Sequence, residues 1–405
     1  MYLHKPSPAR RGDKDPMKKT LPIFCALTGA LSCMAQQPPP PTPHPGVPPA
    51  IATPFAPTPA PVPVITPSAT PQTDTSQPTP APVPAPSGSP QPAATASPQP
   101  AAAAGEPGVA KAEPVSEREI MTRLQIFLDQ QLFGPGKIDG RGKLFTAQAL
   151  DRYQKAHGLP VTATIDENIP LDSVYPVYTT YEIKKEDLKY VGELPSKPVE
   201  QAKKKYMPYP SLHEMVAERY HTDPDFLVKI NPGLNLEKLK PGDSVRVPNV
   251  APFKIEDLVE NPKLPVKPEF LSRVITVDTR NKMLDLTDGD KLLASFPITP
   301  GSATLPAPKG TWKILGICEL PNFRHDEAML MHGYRSKDFS MIPIGPRDPV
   351  GVMWMGLNKP GIGIHGTNSP WNIGRSGSHG CIRVANWDVI RLSSMVTEGM
   401  KVIIK

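Results

Sequence analysis

The sequence predicts a multidomain α+β chain: a mainly-β C-terminal domain, preceded by a small helical module and a small βααβ module, behind a disordered Pro-rich N-terminal segment. Three observations predict it. Proline numbers 56 among 405 residues and crowds between Gln36 and Pro107. Two stretches after residue 116 carry apolar residues at helical spacing. Beyond residue 272 the pattern changes to short alternating runs bounded by turn residues. These shifts place a leader at 1–35, a tether at 36–115, modules at 116–170 and 178–250, and the last domain at 272–405.

In the leader, Met17-Lys18-Lys19 precedes the apolar stretch Leu21 to Leu31, the short basic region and apolar core of a secretory signal peptide, with Met17 as the expected start. The apolar run is too short for a membrane span of ~20 residues. Two processing sites compete. Cys33-Met34-Ala35 satisfies the small-x-small rule for cleavage before Gln36, whereas Ala30-Leu31-Ser32-Cys33 resembles a lipoprotein signal that would acylate Cys33. Either one exports the protein to the cell envelope or periplasm, soluble in the first case and lipid-anchored through Cys33 in the second.

From Gln36 to Pro107 the chain has no Lys or Arg and almost no aromatic residues, so it cannot bury enough apolar surface to offset the entropy of ordering. It reads as a disordered, semi-extended tether, either a passive spacer or a Pro-rich recognition segment, able to span well over ~100 Å at ~3.1 Å per residue. The net charge of +6, from 45 basic and 39 acidic residues, is too small and dispersed to imply nucleic acid. It suits contact with an acidic polymer. Of the 4 cysteines, Cys25 lies in the leader, while Cys318 and Cys381 stand alone in the folded part, too few for a disulfide framework. Unpaired thiols in an exported protein point to chemical work for at least one. Cys318, in the apolar run Trp312 to Leu320, reads as a packed strand position.

In the first module Ile120, Leu124, Phe127 and Leu128 recur at helical spacing, and Ala149, Leu150 and Tyr153 form a second apolar set. Between them Phe133 to Gly140 is a turn cluster, with Thr146 placed to start the second helix. The order Leu124-Gln125, Gly136, Ile138-Asp139-Gly140, Thr146, Ala149-Leu150, Tyr153-Gln154 and His157 to Thr162 resembles the peptidoglycan-binding-like module of wall hydrolases and transpeptidases. The alternative is a helical spacer that binds nothing.

In the second module Ser211 opens a helix with Leu212, Met215, Val216 and Tyr220 on one face and Glu214 at the capping-box position. A short helix from Asp223 to Ile230 follows, then a turn and strand from Leu239 to Pro248. The segment resembles a LysM domain with an insertion: the expected first strand, Tyr181 to Leu188, lies some twenty residues too far ahead of the helix. In that family the strand-to-helix loop forms part of the sugar site, so the insertion puts glycan binding in question.

In the last domain, strands are expected at Val274–Asp278, Met283–Leu286, Leu292–Ile298, Gly310–Leu315 and Val352–Met355, with a helix at Asn386–Met395 and a closing strand at Met400–Ile404. The chemistry concentrates in Ile364-His365-Gly366-Thr367 and in Ser376 to Arg383. A cysteine nucleophile needs a base, a group that orients the base, and amide donors for an oxyanion; His365 and Cys381 can supply the first pair. Gly377 and Gly380 let backbone amides approach a carbonyl closely.

The pattern His-Gly-Thr followed by Ser-His-Gly-Cys-Ile-Arg resembles the signature of L,D-transpeptidases with a YkuD-type catalytic domain, and the resemblance runs from Arg273 to Ile404, including Pro349 to Met355 and Asn386 to Asp388. It implies Cys381 as nucleophile, His365 as general base, the Gly366 carbonyl as orienter, and an oxyanion hole around Gly380 and Cys381 shaped by Ser378 and His379. Arg383 would meet a substrate carboxylate. The implied substrate is a peptidoglycan tetrapeptide stem, cut after its third residue with release of D-Ala. The acyl group passes to diaminopimelate as a 3-3 crosslink, to a lysine of an outer-membrane lipoprotein, or to water as an L,D-carboxypeptidase. No metal or organic cofactor is implied. Two other readings compete: zinc held by His365, His379 and Cys381, which lacks a fourth ligand, and a catalytically silent wall-binding protein, which would need a lost catalytic residue.

Overall fold

In the computed structural model, which describes residues 116–405 apart from 163 and 376, the first module opens with helix α1 (Glu117–Gln130). The leader, the tether and Cys33 lie outside the described residues. Ser116 caps α1 by accepting from the Glu119 N–H at 3.2 Å, and Leu124, Phe127 and Leu128 bury their side chains beside α2 (Leu144–Ala156). Helix α2 starts two residues before Thr146, which instead lies buried in its first turn. One side chain pins the intervening turn. Gln125, 1% exposed, accepts from the N–H groups of Asp139 and Gly140, and its amide donates to Asp139 Oδ1, the Arg141 carbonyl and Thr146 Oγ1. Gln125, Asp139 and Thr146, which carry part of this module's resemblance, are thus engaged in its own turn.

In the second module β1 (Tyr178–Glu182) pairs antiparallel with β2 (Ser244–Pro248), and between them lie α3 (Pro198–Gln201), α4 (Leu212–Arg219) and α5 (Pro224–Ile230). The strand expected at Tyr181–Leu188 is displaced toward the N-terminus. Lys185–Tyr190 is a 3₁₀ helix, because the Asp187 carboxylate accepts from the Lys184 N–H at 2.8 Å and from the Tyr181 hydroxyl, closing a turn. Ser211 caps α4, its hydroxyl accepting from the Glu214 N–H at 3.2 Å, but the expected capping box does not form. Glu214 reaches Arg347 instead, at 2.9 Å.

The last domain is a closed barrel. Its strands are β3 (Arg273–Asp278), β4 (Met283–Asp288), β5 (Lys291–Pro300), β6 (Gly310–Glu319), and, beyond a 3-residue hairpin pair β7 (Phe323–His325) and β8 (Ser340–Ile342), β9 (Met353–Leu357), β10 (Gly363–His365), β11 (Ile382–Val384) and β12 (Lys401–Ile404). Around the barrel they run β10-β11-β5-β4-β3-β12-β6-β9. The pairs β10–β11 and β12–β3 are parallel. Ile275, Val277, Leu284, Leu286, Phe296 and Ile298 are fully buried, so the alternation read from the sequence is the barrel's inward face. Helix α6 (Glu327–His332) joins β7 to β8, and residues 321–347 form a cap between β6 and β9 that the alternation does not announce.

Helix α7 (Asn386–Ser394) is where the three modules meet. Asn386 Nδ2 donates to Glu218 of α4 at 2.7 Å, the Trp387 ring stacks on His221 at 5.3 Å between centroids, and Arg391 pairs with Asp129 of α1 at 2.7 Å. Among the described residues, no helix is long and apolar enough to cross a membrane.

Candidate active site

Strands β10 and β11 lie parallel with Ile364 beside Ile382 and His365 beside Arg383. The residues 366–381 cross from one to the other, so Cys381 enters β11 next to Gly363, whose backbone amide faces the thiol. His365, Ser378, His379, Cys381 and Arg383 thereby line one cavity of about 340 Å³. Gly366 and Gly380 stand behind the lining: the Gly366 carbonyl takes a 2.7 Å hydrogen bond from His365 Nδ1, and Gly380 turns the chain with φ +98°, a conformation that favours glycine.

Because a carbonyl only accepts, the bond to Gly366 places a proton on Nδ1, and the Val350 carbonyl also faces the ring. The imidazole, 3% exposed, stacks on Trp354 with centroids 5.4 Å apart. Its turn is held by Asn386, whose Oδ1 accepts from the Thr367 N–H at 3.0 Å and whose Nδ2 donates to the Thr367 carbonyl at 3.0 Å. A Cβ on Gly351 or Gly366 would stand 2.2 Å from Asn386 Oδ1, so this close approach requires glycine at both.

The Cys381 thiol donates to the Gly361 carbonyl at 3.1 Å. Burial pushes its pKa up to about 11, against the pull of the Gly363 amide and the Arg383 charge. Burial and Arg383 push His365 down to about 3, against the Gly366 and Val350 carbonyls. Both groups are therefore neutral at neutral pH. Ser378 braces the loop: its hydroxyl donates to the Cys381 carbonyl at 2.5 Å and its N–H to the Gly301 carbonyl at 2.9 Å. Arg383 donates from one end of its guanidinium to the Gly377 carbonyl at 3.0 Å while lining the cavity.

The cap adds Phe323, Arg324, His325 and Asp326 to the lining, and the second module adds Ser196, Pro198 and Gln201. The sequence reading named none of these for the site. They lie far along the chain from the His-Gly-Thr and Ser-His-Gly-Cys patterns, and no local spacing ties them to it. Cys381 is a free thiol, whereas Cys318, buried on β6, is disulfide-bonded, which corrects the expectation that it stands unpaired. Among the described residues no group of three or more His, Cys, Asp or Glu is arranged to hold a metal ion, so the zinc reading finds no ligand set there.

Residues 272–404 match the family model described as the L,D-transpeptidase catalytic domain, YkuD, and residues 117–169 match the one described as "Putative peptidoglycan binding domain". The chain is similar to the "Putative L,D-transpeptidase YkuD" of Bacillus licheniformis, 29% identical over 47% of this chain and 90% of that protein. It is 32% identical to the protein of the same name from Bacillus subtilis, over 32% of this chain and 64% of the relative. A solved L,D-transpeptidase from Mycobacterium smegmatis shares 18% identity over 33% of this chain and 58% of that one, with a TM-score of 0.27. Residues 272–404 are thus similar to the catalytic domain of an enzyme class, the L,D-transpeptidases, and residues 117–169 to a peptidoglycan-binding domain.

Proposed function

We propose that Cys381 is the nucleophile of a peptidoglycan L,D-transpeptidase that cleaves a tetrapeptide stem after its third residue. The observation that carries this reading is the free thiol of Cys381 lining one cavity with His365, whose Nδ1 is fixed by the Gly366 carbonyl, and Arg383. The thiol proton passes to His365 Nε2 as sulfur attacks the carbonyl carbon, and the backbone amides at Gly380 and Cys381 receive the oxyanion. The intermediate then collapses: the C–N bond breaks, the His365 proton goes to the departing D-Ala amine, and a thioester remains. An acceptor amine, giving its proton to His365, attacks the thioester and restores the thiol.

Arg383 steadies charge in this step, because a cation beside Cys381 favours the thiolate; its free guanidinium edge suits a stem carboxylate. His379 and Ser378 shape the mouth and brace the loop. The peptidoglycan-binding domain would hold the wall near the site, the βααβ module reads as LysM-like, and export to the envelope places the enzyme with its substrate. The acceptor is diaminopimelate, a lipoprotein lysine or water.

Incubation with purified disaccharide-tetrapeptide, read by mass spectrometry, tests the reading. Dimers with loss of D-Ala mark crosslinking, and tripeptides mark hydrolysis. Cys381→Ala should abolish D-Ala release, and His365→Ala should lower it at least ~100-fold, the usual scale of general-base catalysis. D-Ala release that survives in Cys381→Ala would refute the assignment.

A further inference from the structure

The insertion that separates β1 from α4 is a closed loop with a destination. Its ends are tied together, the Gly192 N–H donating to the Tyr209 carbonyl at 2.9 Å and the Tyr209 N–H to the Tyr190 carbonyl at 2.8 Å. Its tip is stiffened by Pro198 at the start of α3 and by Gln201, whose amide donates to the Pro195 carbonyl at 2.8 Å. Its return leg is clasped to the foot of the cap: the Met207 N–H donates to the Ile344 carbonyl at 2.8 Å and the Arg347 N–H to the Met207 carbonyl at 3.2 Å. Gly345 makes that approach possible, since a Cβ there would meet the Met207 carbonyl oxygen at 2.3 Å. The loop is thus held against the cap, and Ser196, Pro198 and Gln201 line the cavity that holds Cys381.

The walls differ in chemistry. Among apolar side chains such as Met329, Leu330 and Trp354, the barrel and cap present Arg383 and Arg335, guanidinium groups suited to carboxylates, with His325 and His379, while Arg324 and Asp326 are engaged with each other and with Ser336. The loop presents a hydroxyl, an amide side chain and a proline ring, with no charge among them. Such groups match peptide amides and methyl side chains. We propose that loop 192–209 of the second module is the second wall of the acyl-donor subsite, reading the uncharged backbone of the stem peptide while the basic wall takes its carboxylates. This rests on the reading of Cys381 given above, and it gives the insertion a role in choosing the donor.

The test uses the full chain and two bulky substitutions on the same loop. Ser196→Trp projects into the cavity, whereas Val199→Trp stands at a position 61% exposed and outside the lining. With disaccharide-tetrapeptide as probe, Ser196→Trp should raise donor KM about tenfold or more with a smaller change in kcat, and Val199→Trp should change either by less than about twofold. The same ordering should appear in equilibrium binding of the probe to Cys381→Ala proteins, a readout independent of turnover. Alkylation of Cys381 by iodoacetamide should stay within about twofold in both variants, which excludes a collapsed site. Equal effects of the two substitutions, or an effect on the acceptor KM alone, would overturn the proposal. If the probe binds Cys381→Ala with the expected dependence on Ser196 yet wild type releases no D-Ala, the loop assignment stands and the proposed reaction falls.

Discussion

At Cys381 and His365 the environment favours the neutral form of each partner. With the thiol raised to about 11 and the imidazole lowered to about 3, a resting thiolate–imidazolium pair is disfavoured from both sides. In the proposed reaction, proton transfer then accompanies attack on the bound carbonyl. The sign follows for pH: the thiol ionises only as pH rises toward its raised pKa, so at pH 7 about one thiol in ten thousand is ionised. In the absence of substrate, iodoacetamide alkylation of Cys381 should accelerate roughly tenfold per pH unit from 7 to 10. A plateau near neutrality would instead reveal a preformed ion pair. That these two residues would share one site was legible because both sit in short contiguous patterns. Their protonation was not, since it depends on burial and on Arg383, facts of the folded site.

Among the elements, α7 does more than the helix expected at Asn386–Met395. Its first residue, Asn386, bonds to Thr367 on both backbone atoms and to Glu218, holding the turn that follows His365. Glu218 is buried, and burial raises its carboxyl pKa despite Arg347 at 3.0 Å. Removing the amide would leave buried donors and acceptors without partners. Asn386→Ala is expected to destabilise the protein by roughly 3 kcal/mol, at ~1–3 kcal/mol per unsatisfied buried group, measurable by denaturant titration. It should also lower kcat, because His365 loses the support of its turn. A variant of wild-type stability would show that water replaces the amide. The helix itself was expected from the sequence, but the use of Asn386 was not, since Glu218 and Thr367 are remote in sequence.

Over the whole molecule, the buried cluster of Asp129, His221 and Arg391 joins all three modules. Burial alone would raise the Asp129 pKa, but Arg391 and His221 outweigh it and hold the carboxyl well below its usual range. A depressed carboxylate contributes stability above its unfolded pKa of 3.8, lost as pH falls through the folded value. The Asp129 contribution to docking should therefore be constant from pH 5 upward and fall only in acid, while His221, whose pKa burial lowers from 6.5, makes docking weaken further as pH falls below that value. Asp129→Asn removes the two close carboxylate contacts of Arg391 and leaves only Asp388 at 3.6 Å, a loss on the order of 3–5 kcal/mol for a buried pair. Calorimetry of that variant should show the single unfolding transition separating into two, and limited proteolysis should release the first module. One unshifted transition would mean that apolar packing alone holds the modules.

The sequence by itself determined the features that local chemistry writes. Barrel strands follow the period-two alternation, Ser211 and Ser116 cap the helices they precede, and the His-Gly-Thr and Ser-His-Gly-Cys-Ile-Arg patterns place an imidazole at the end of one strand and a thiol just before its parallel neighbour. Only the tertiary structure decided what those signals could not contain. Glu214, spaced for a capping box, pairs with Arg347, 133 residues away, because closing the barrel and seating the cap bring a buried guanidinium beside α4. Lys185–Tyr190 becomes a 3₁₀ turn around Asp187 where a strand was expected, and the loop beyond it reaches the cavity of Cys381. Spacing within a few residues fixes caps and faces. Which distant groups share a buried site is fixed by topology, and there a buried charge takes the partner that best offsets its desolvation.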